Sequence, residues 1–166
     1  MPILVALLVF IPLVVEARRA AHNERAQRAR GGVEPAGDVY GAMRVAYPGA
    51  FLAMIAEGAI RGAPPPRVIL AGVLLFAAAK ALKWWAIRAL GPAWTFRVIV
   101  VPGAPLVTSG PYRYLRHPNY IAVVAELAGV ALMAGAPVTG PIAAAAFGLL
   151  ILRRIGVEGR ALDRQI

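Results

Sequence analysis

Residues 67–90 read Arg67-Val-Ile-Leu-Ala-Gly-Val-Leu-Leu-Phe-Ala-Ala-Ala-Lys-Ala-Leu-Lys-Trp-Trp-Ala-Ile-Arg-Ala-Leu90. A bilayer-crossing helix needs about 20 apolar residues, within a range of roughly 17–25, and this stretch meets that length comfortably. Working outward, four more apolar stretches of marginal length flank it: Met1–Ala17 and Val45–Ile60 before it, Pro118–Gly135 and Ala136–Leu152 after it. The last two are separated only by the turn-rich run Gly135-Ala-Pro-Val-Thr-Gly-Pro141. They therefore predict a tight helical hairpin. Pro141 leaves open a late start for the fifth helix and an incomplete crossing.

Composition agrees with a lipid solvent. Hydrophobic residues make up 60% of the 166, against roughly 45–50% in soluble domains. The formal net charge is +10, carried by arginine apart from Lys80 and Lys83. Such basicity suits either nucleic acid or an anionic membrane surface. Because the arginines cluster between apolar runs, the expectation is membrane lipid and no nucleic acid. The absence of cysteine excludes disulfides and thiol-ligated metal, and no metal site is expected. Met1–Ala17 is read as a retained first span, because Arg18 and Arg19 follow it, whereas secretory signals carry their positive charge ahead of the apolar run.

Charge sets the expected topology. Of the 18 basic residues, all but Arg61, Arg67, Lys80 and Lys83 fall in three places. These are the segment after span one, the end of span three with the segment after it, and the C-terminal tail, which includes Arg153, Arg154, Arg160 and Arg164. Alternate crossing puts the three on one side, the cytoplasmic side by the positive-inside rule. The expectation is one all-α integral membrane domain over residues 1–166 with about five spans, the N-terminus outside and the C-terminus cytoplasmic. Residues 1–90 hold three spans and a linker, and residues 91–166 hold a polar loop, the hairpin and the tail. Glu16–Arg30 is open to reading as a polar surface helix, and Gly31–Gly37 as a short linker. Ala125 with Gly129, and Ala144 with Gly148, place small residues four apart in the hairpin. That spacing permits close helix approach or reflects alanine richness alone.

Chemistry concentrates in Ala104–Tyr120, a loop punctuated by proline and rich in tyrosine and arginine. Pro118 suits the first turn of a helix, which puts His117 at the helix entry and its free N–H groups toward the cytoplasm, where an anionic group fits. Tyr112, Tyr114, Tyr120, Arg113 and Arg116 surround that point. The loop reads either as a ligand site or as an interfacial belt of tyrosine and arginine. Arg154 and Glu158, one helical turn apart, read either as a surface ion pair or as groups that the hairpin returns beside His117. Glu126 lies inside span four, and Lys80 and Lys83 lie inside span three. Buried charges face one another or a cavity, so Glu126 either pairs with Lys83 or Lys80, or lines a substrate cavity. Glu57 is expected to pair with Arg61, four residues on, and His22 to be solvated.

The run Gly110-Pro-Tyr-Arg-Tyr-Leu-Arg-His-Pro-Asn-Tyr120 resembles the isoprenylcysteine carboxyl methyltransferase family, membrane enzymes that use S-adenosylmethionine. The resemblance spans residues 91–162: Leu106–Gly110, Tyr112, Arg116–Tyr120, the hairpin, then Arg154 and Glu158. It implies that Pro105, Leu106, Val107, Tyr112, His117, Pro118, Asn119, Tyr120 and Glu158 hold the cofactor. It also implies that Arg154 is catalytic beside the acceptor. One departure is Glu158-Gly159, where family members often carry two adjacent acids. Trp94–Gly103 and His117–Glu126 resemble bacterial members that O-methylate long-chain alkylpyrones or alkylresorcinols. The acceptor implied is therefore lipophilic, either such a ring or a prenylated carboxylate, bound by Arg154; Glu126 joins it as a substrate contact on the reading in which that buried acid lines the cavity. The location implied is a bacterial cytoplasmic membrane with the site facing the cytoplasm. Methylation of a phospholipid or another small molecule, and a non-catalytic transporter or scaffold subunit, are the rival readings.

Overall fold

The computed structural model describes residues 2–163; Met1 and Arg164, invoked above for span one and the tail, lie outside them. Among the described residues the fold is five α-helices without strands: α1 (Pro2–Ala29), α2 (Tyr40–Arg61), α3 (Pro66–Leu90), α4 (Pro118–Ala134) and α5 (Thr139–Asp163). Short 3-10 turns occupy Gly91–Ala93 and Gly110–Arg113. Each of the five apolar stretches thus becomes a helix. Two stretches, Pro66–Ala93 and Thr139–Leu162, are long and apolar enough to cross a bilayer. Only 22% and 28% of their most apolar windows are buried inside the protein, too little for core helices of a soluble domain.

Proline and glycine set the boundaries. Pro66 and Pro118 occupy the first turns of α3 and α4, where a missing N–H leaves no helical bond unmade. Gly135 ends α4 in the left-handed conformation at φ 69°, and the Ala136 N–H closes on the Ala131 carbonyl at 2.9 Å, a common helix stop. Two expectations are corrected here. The fifth helix starts at Thr139, so Pro141 falls in its first turn and delays nothing, and the helix runs on past Leu152 through the Arg154 and Glu158 segment. The Glu16–Arg30 stretch is no separate surface helix but the continuation of α1.

α5 has its N-terminus held from another helix. Glu57 of α2 accepts from the Thr139 N–H and hydroxyl, both at 2.7 Å, and from the Val138 N–H at 3.2 Å. The expected Glu57–Arg61 pair is also present at 2.7 Å. α1, at 28 residues, is about 42 Å long. Its far end turns Asn23 and Gln27 inward. Asn23 donates to the Gly91 and Trp94 carbonyls at 3.1 and 2.7 Å, and Gln27 to the Pro92 carbonyl at 2.8 Å. These amides anchor the turn after α3, which forms one wall of the site.

The most extensive helix packing is between α3 and α4. A methyl group on Gly129 would stand 2.9 Å from the Phe76 nitrogen and 3.0 Å from the Gly72 carbonyl, and one on Gly72 would stand 2.7 Å from the Met133 nitrogen. The small-residue spacing in α4 therefore serves α3 rather than the hairpin, and Gly148 of α5 faces open space. Gly129→Ala should accordingly lower the thermal unfolding midpoint in detergent, at a cost of about 1–3 kcal/mol for overpacking. Gly148→Ala should be neutral or stabilising by up to about 1 kcal/mol. Equal effects at the two positions would contradict this packing.

Candidate functional site

One cavity of about 660 Å³ opens among all five helices and the loop that follows α3. That volume lies within the range of about 300–1,000 Å³ typical of small-molecule sites. The start of α4 and the end of α5 meet at one end of it. There the Tyr120 hydroxyl donates to Glu158 Oε2 at 2.9 Å and accepts from Arg154 Nε at 2.9 Å. The His117 ring stacks on Tyr120, with centroids 5.3 Å apart. Trp94 Nε1 reaches Asn119 Oδ1 at 3.4 Å. Burial pushes the Tyr112 hydroxyl well above its ordinary pKa, and the Glu158 carboxylate adds to the effect, so Tyr112 presents a neutral O–H at physiological pH.

Arg154 is buried at 6% exposure and is already engaged. Its Nη1 lies 3.5 Å from Asp38 Oδ1 and 3.7 Å from the Met43 sulfur. Asp38 also accepts from the Tyr40 and Val98 N–H groups at 3.1 and 2.9 Å. One carboxylate therefore ties the start of α2, the loop wall and α5 together. Arg154 is neutralised by Asp38, whereas Glu158 has no ion-pair partner among the described residues. The negative charge left over at this end of the cavity is that of Glu158.

The other end reaches a buried ion cluster. Lys80 and Lys83 stand one turn apart on α3. Lys80 Nζ is 2.7 Å from Glu16 Oε1 and 3.2 Å from Glu126 Oε1; Lys83 Nζ is 3.2 Å from Glu16 Oε2 and 2.9 Å from Glu126 Oε2. Tyr47 of α2 donates its hydroxyl proton to Glu126. Glu126 pairs with both lysines where one partner was expected, and Glu16 completes the cluster from α1.

Of the residues singled out from sequence, Tyr112, His117, Asn119, Tyr120, Arg154 and Glu158 share the cavity wall. Pro105, Leu106 and Val107 do not: Leu106 is 65% exposed, and the segment runs outside the cavity. Pro118 is buried beneath the site. Glu126 is corrected as an acceptor-facing group, because it is enclosed behind Tyr47 and Lys83, which take that place on the wall. The first turn of α4 is also less free than expected. The Tyr120 and Ile121 N–H groups both close on the His117 carbonyl, at 3.1 and 3.2 Å. Sequence reading missed Asp38, Glu16, Met43 and Tyr47. Glu16 had a signal, since two lysines within one span call for two acids. Asp38 had a weaker one, as an acid just ahead of a helix start.

A family model, described as Isoprenylcysteine carboxyl methyltransferase (ICMT) family, matches residues 71–164, more than half of the chain. The chain belongs to this family. ICMT membership implies a membrane-associated methyltransferase that uses S-adenosylmethionine and a lipophilic acceptor. The matched region holds most of α3 and all of α4 and α5, and so every site residue named from sequence. α1 and α2 lie before it yet line the same cavity. "Uncharacterized protein YpbQ" of Bacillus subtilis (strain 168) is 29% identical over 161 residues, covering 97% of this chain and 95% of its own length. An "Uncharacterized protein" of Haemophilus influenzae (strain ATCC 51907 / DSM 11121 / KW20 / Rd) is 29% identical over 92 residues, covering 55% of this chain and 52% of its own. No solved structure matches.

The ICMT site makes a checkable claim about its internal wiring. Because Tyr120 is the bridge between Arg154 and Glu158, Tyr120→Phe should destabilise the protein by about 1–3 kcal/mol, the cost of losing hydrogen bonds to charged groups. A double-mutant cycle with Glu158→Gln should give a coupling energy on the order of 1 kcal/mol. Additive effects in denaturant unfolding would show that the bridge carries no energy.

Proposed function

We propose that this chain is an S-adenosylmethionine-dependent O-methyltransferase of a lipophilic acceptor. In this reading the cofactor occupies the Tyr112, His117, Asn119, Tyr120 and Glu158 end of the cavity. The observation that carries it is the convergence of these residues with Arg154 on a single 660 Å³ cavity inside the family-matched region. The donor set suits the cofactor. Tyr112, His117 and Tyr120 offer planar faces for a base, and Arg116 and Arg44 on the cavity wall offer cations for a carboxylate. Glu158 offers an uncompensated negative charge for ribose hydroxyls or a cationic sulfur. When bound, S-adenosylmethionine supplies an electrophilic methyl group on positively charged sulfur.

The remainder follows from the chain's own groups. Tyr120, fixed between Arg154 and Glu158, holds that carboxylate at one position. Arg154 acts by fixing Tyr120, since Asp38 already balances its charge. The apolar wall excludes water, and most of the rate gain comes from holding acceptor and donor in line, where effective molarity is large. The acceptors this reading favours are a long-chain alkylpyrone, an alkylresorcinol or an isoprenylcysteine-like carboxylate. The five helices are read as five spans, with the three arginine clusters and the cofactor end on the cytoplasmic side of a bacterial inner membrane. Large side chains left exposed along α1, including Ile3, Leu7 and Ile11, support lipid contact there.

Isothermal titration with S-adenosylhomocysteine tests the reading. Wild-type protein should bind one equivalent saturably. His117→Ala/Glu158→Ala should lose at least about tenfold in affinity, the worth of a hydrogen bond to a charged group. Absence of binding by folded wild type, both in detergent and in nanodiscs, would overturn it.

A further inference from the structure

The cavity's deep end is built from groups that the proposed cofactor site does not use, and the family-matched region supplies only part of them. Lys83 is 3% exposed and Tyr47 8%; both reach the cavity wall, with the Lys83 ammonium 5.4 Å from the Tyr47 ring centre. Counting hydrogen bonds shows spare capacity. An ammonium has three donors. Lys83 spends one on Glu16 Oε2 and one on Glu126 Oε2, and the third has no partner among the described residues. The Tyr47 hydroxyl gives its proton to Glu126, and its oxygen receives no donor among the described residues. Behind them Glu126 Oε1 is a fully buried oxygen without a hydrogen-bond donor; Lys80 stands near it but misaligned. Lys80, with a single hydrogen bond to Glu16, does not line the cavity; buried polar groups are normally satisfied, so the spare Lys83 donor and the free acceptor oxygens leave the cluster incomplete on its cavity side.

We propose that Lys83 and Tyr47 form an oxygen-binding subsite for the acceptor, selective for an uncharged hydroxyl on an apolar ring or chain. Lys83 donates its third N–H to the acceptor oxygen, and the acceptor's O–H donates to the Tyr47 oxygen. Charge decides against a carboxylate at this point. Glu16 and Glu126 already balance Lys80 and Lys83, so a carboxylate would place a third anion against two cations in a poorly solvated space. A neutral hydroxyl adds no charge. Beside the subsite, Leu13, Pro48, Val123 and Phe147 provide an apolar lining for the ring or chain. The inference rests on the methyltransferase reading for the word acceptor, but the subsite itself can be tested without it.

The test uses three probes that share one alkyl chain: meta-pentadecylphenol, hexadecanoic acid and pentadecylbenzene. Each is titrated calorimetrically into the protein in nanodiscs, with and without S-adenosylhomocysteine. Wild type should bind the phenol about tenfold more tightly than either of the others, the affinity of one to two net hydrogen bonds. Tyr47→Phe keeps the ring's packing on Phe51 and Phe147 and should reduce that preference severalfold. Lys83→Met/Glu16→Gln removes one charge of each sign, leaves Lys80 paired with Glu126, and should abolish the preference. Affinity for S-adenosylhomocysteine should stay within about twofold in both variants. Equal binding of phenol and hydrocarbon by wild type, tighter binding of the acid, or a phenol preference that survives in both variants would overturn the subsite. Failure to bind S-adenosylhomocysteine would overturn the cofactor reading alone, since the headgroup preference is also read without it.

Discussion

Four charges inside an apolar bundle, three of them buried and Lys80 nearly so, constrain this structure more than any other feature. Removing one ion from water costs several kcal/mol even after the protein relaxes, and deleting one partner of a buried pair costs about 3–5 kcal/mol. Glu16, Lys80, Lys83 and Glu126 meet that cost by closing on themselves, each carboxylate facing both ammonium groups. The closure requires α1, α3 and α4 to stand in one register, because the acids come one from α1 and one from α4 while both cations come from one face of α3. Tyr47 adds α2 through its hydroxyl. A slide of any helix by one turn, about 5.4 Å, would strand a charge in an apolar medium. The glycine contact between Gly72 and Gly129 follows from the same register: α4 must lie close to α3 for Glu126 to reach both lysines.

The site at the opposite end of the cavity repeats this logic with fewer groups. Arg154, brought back by the hairpin, would be a buried cation without partners unless something met it. Asp38 and the Tyr120 hydroxyl meet it. Asp38 in turn satisfies N–H groups at the start of α2 and in the loop after α3, so positioning the arginine also positions the cavity wall. Met43 and Tyr47, four residues apart and therefore on one face of α2, connect the two ends. Met43 touches Arg154, and Tyr47 touches Glu126.

How much of this was legible follows from the range of each signal. Helix existence was legible because apolar length is a local property, and boundaries marked by proline and glycine were legible for α3 and α4. The extents of α1 and α5 were not. Both helices continue into polar, arginine-rich sequence, where a hydropathy reading stops at the bilayer edge but backbone hydrogen bonding does not. The gathering of Tyr112, His117, Tyr120, Arg154 and Glu158 followed from topology, since a hairpin returns its ends to one side. Their wiring did not, because Tyr120 bridging Arg154 and Glu158 depends on side-chain reach. Leu106 and its neighbours were carried by resemblance alone, and no local physical signal placed them on a wall. Glu16 was hidden by its position at the end of an apolar run, where an acid looks like the start of a polar segment. Asp38 lies in a linker, and apart from the Tyr40 N–H its partners are 60 and more residues away in sequence.

The cavity also divides the chain in a way that the helix count does not. α3, α4 and α5 carry the family match and the residues suited to an adenosyl group. α1 and α2 contribute Leu13, Glu16, Met43, Tyr47 and Pro48 to the same cavity. The ion cluster joins the two halves, because each lysine of α3 is held by one acid from each side of the division. A change in α1 or α2 that reshapes the acceptor wall must therefore keep the cluster's charges balanced, or it leaves a lysine or Glu126 uncompensated in an apolar medium. In the proposed reading, Leu13 and Pro48 are places where the acceptor wall can change without touching a charged group, whereas Met43 touches Arg154 and the charged floor can change only by replacing charges in pairs.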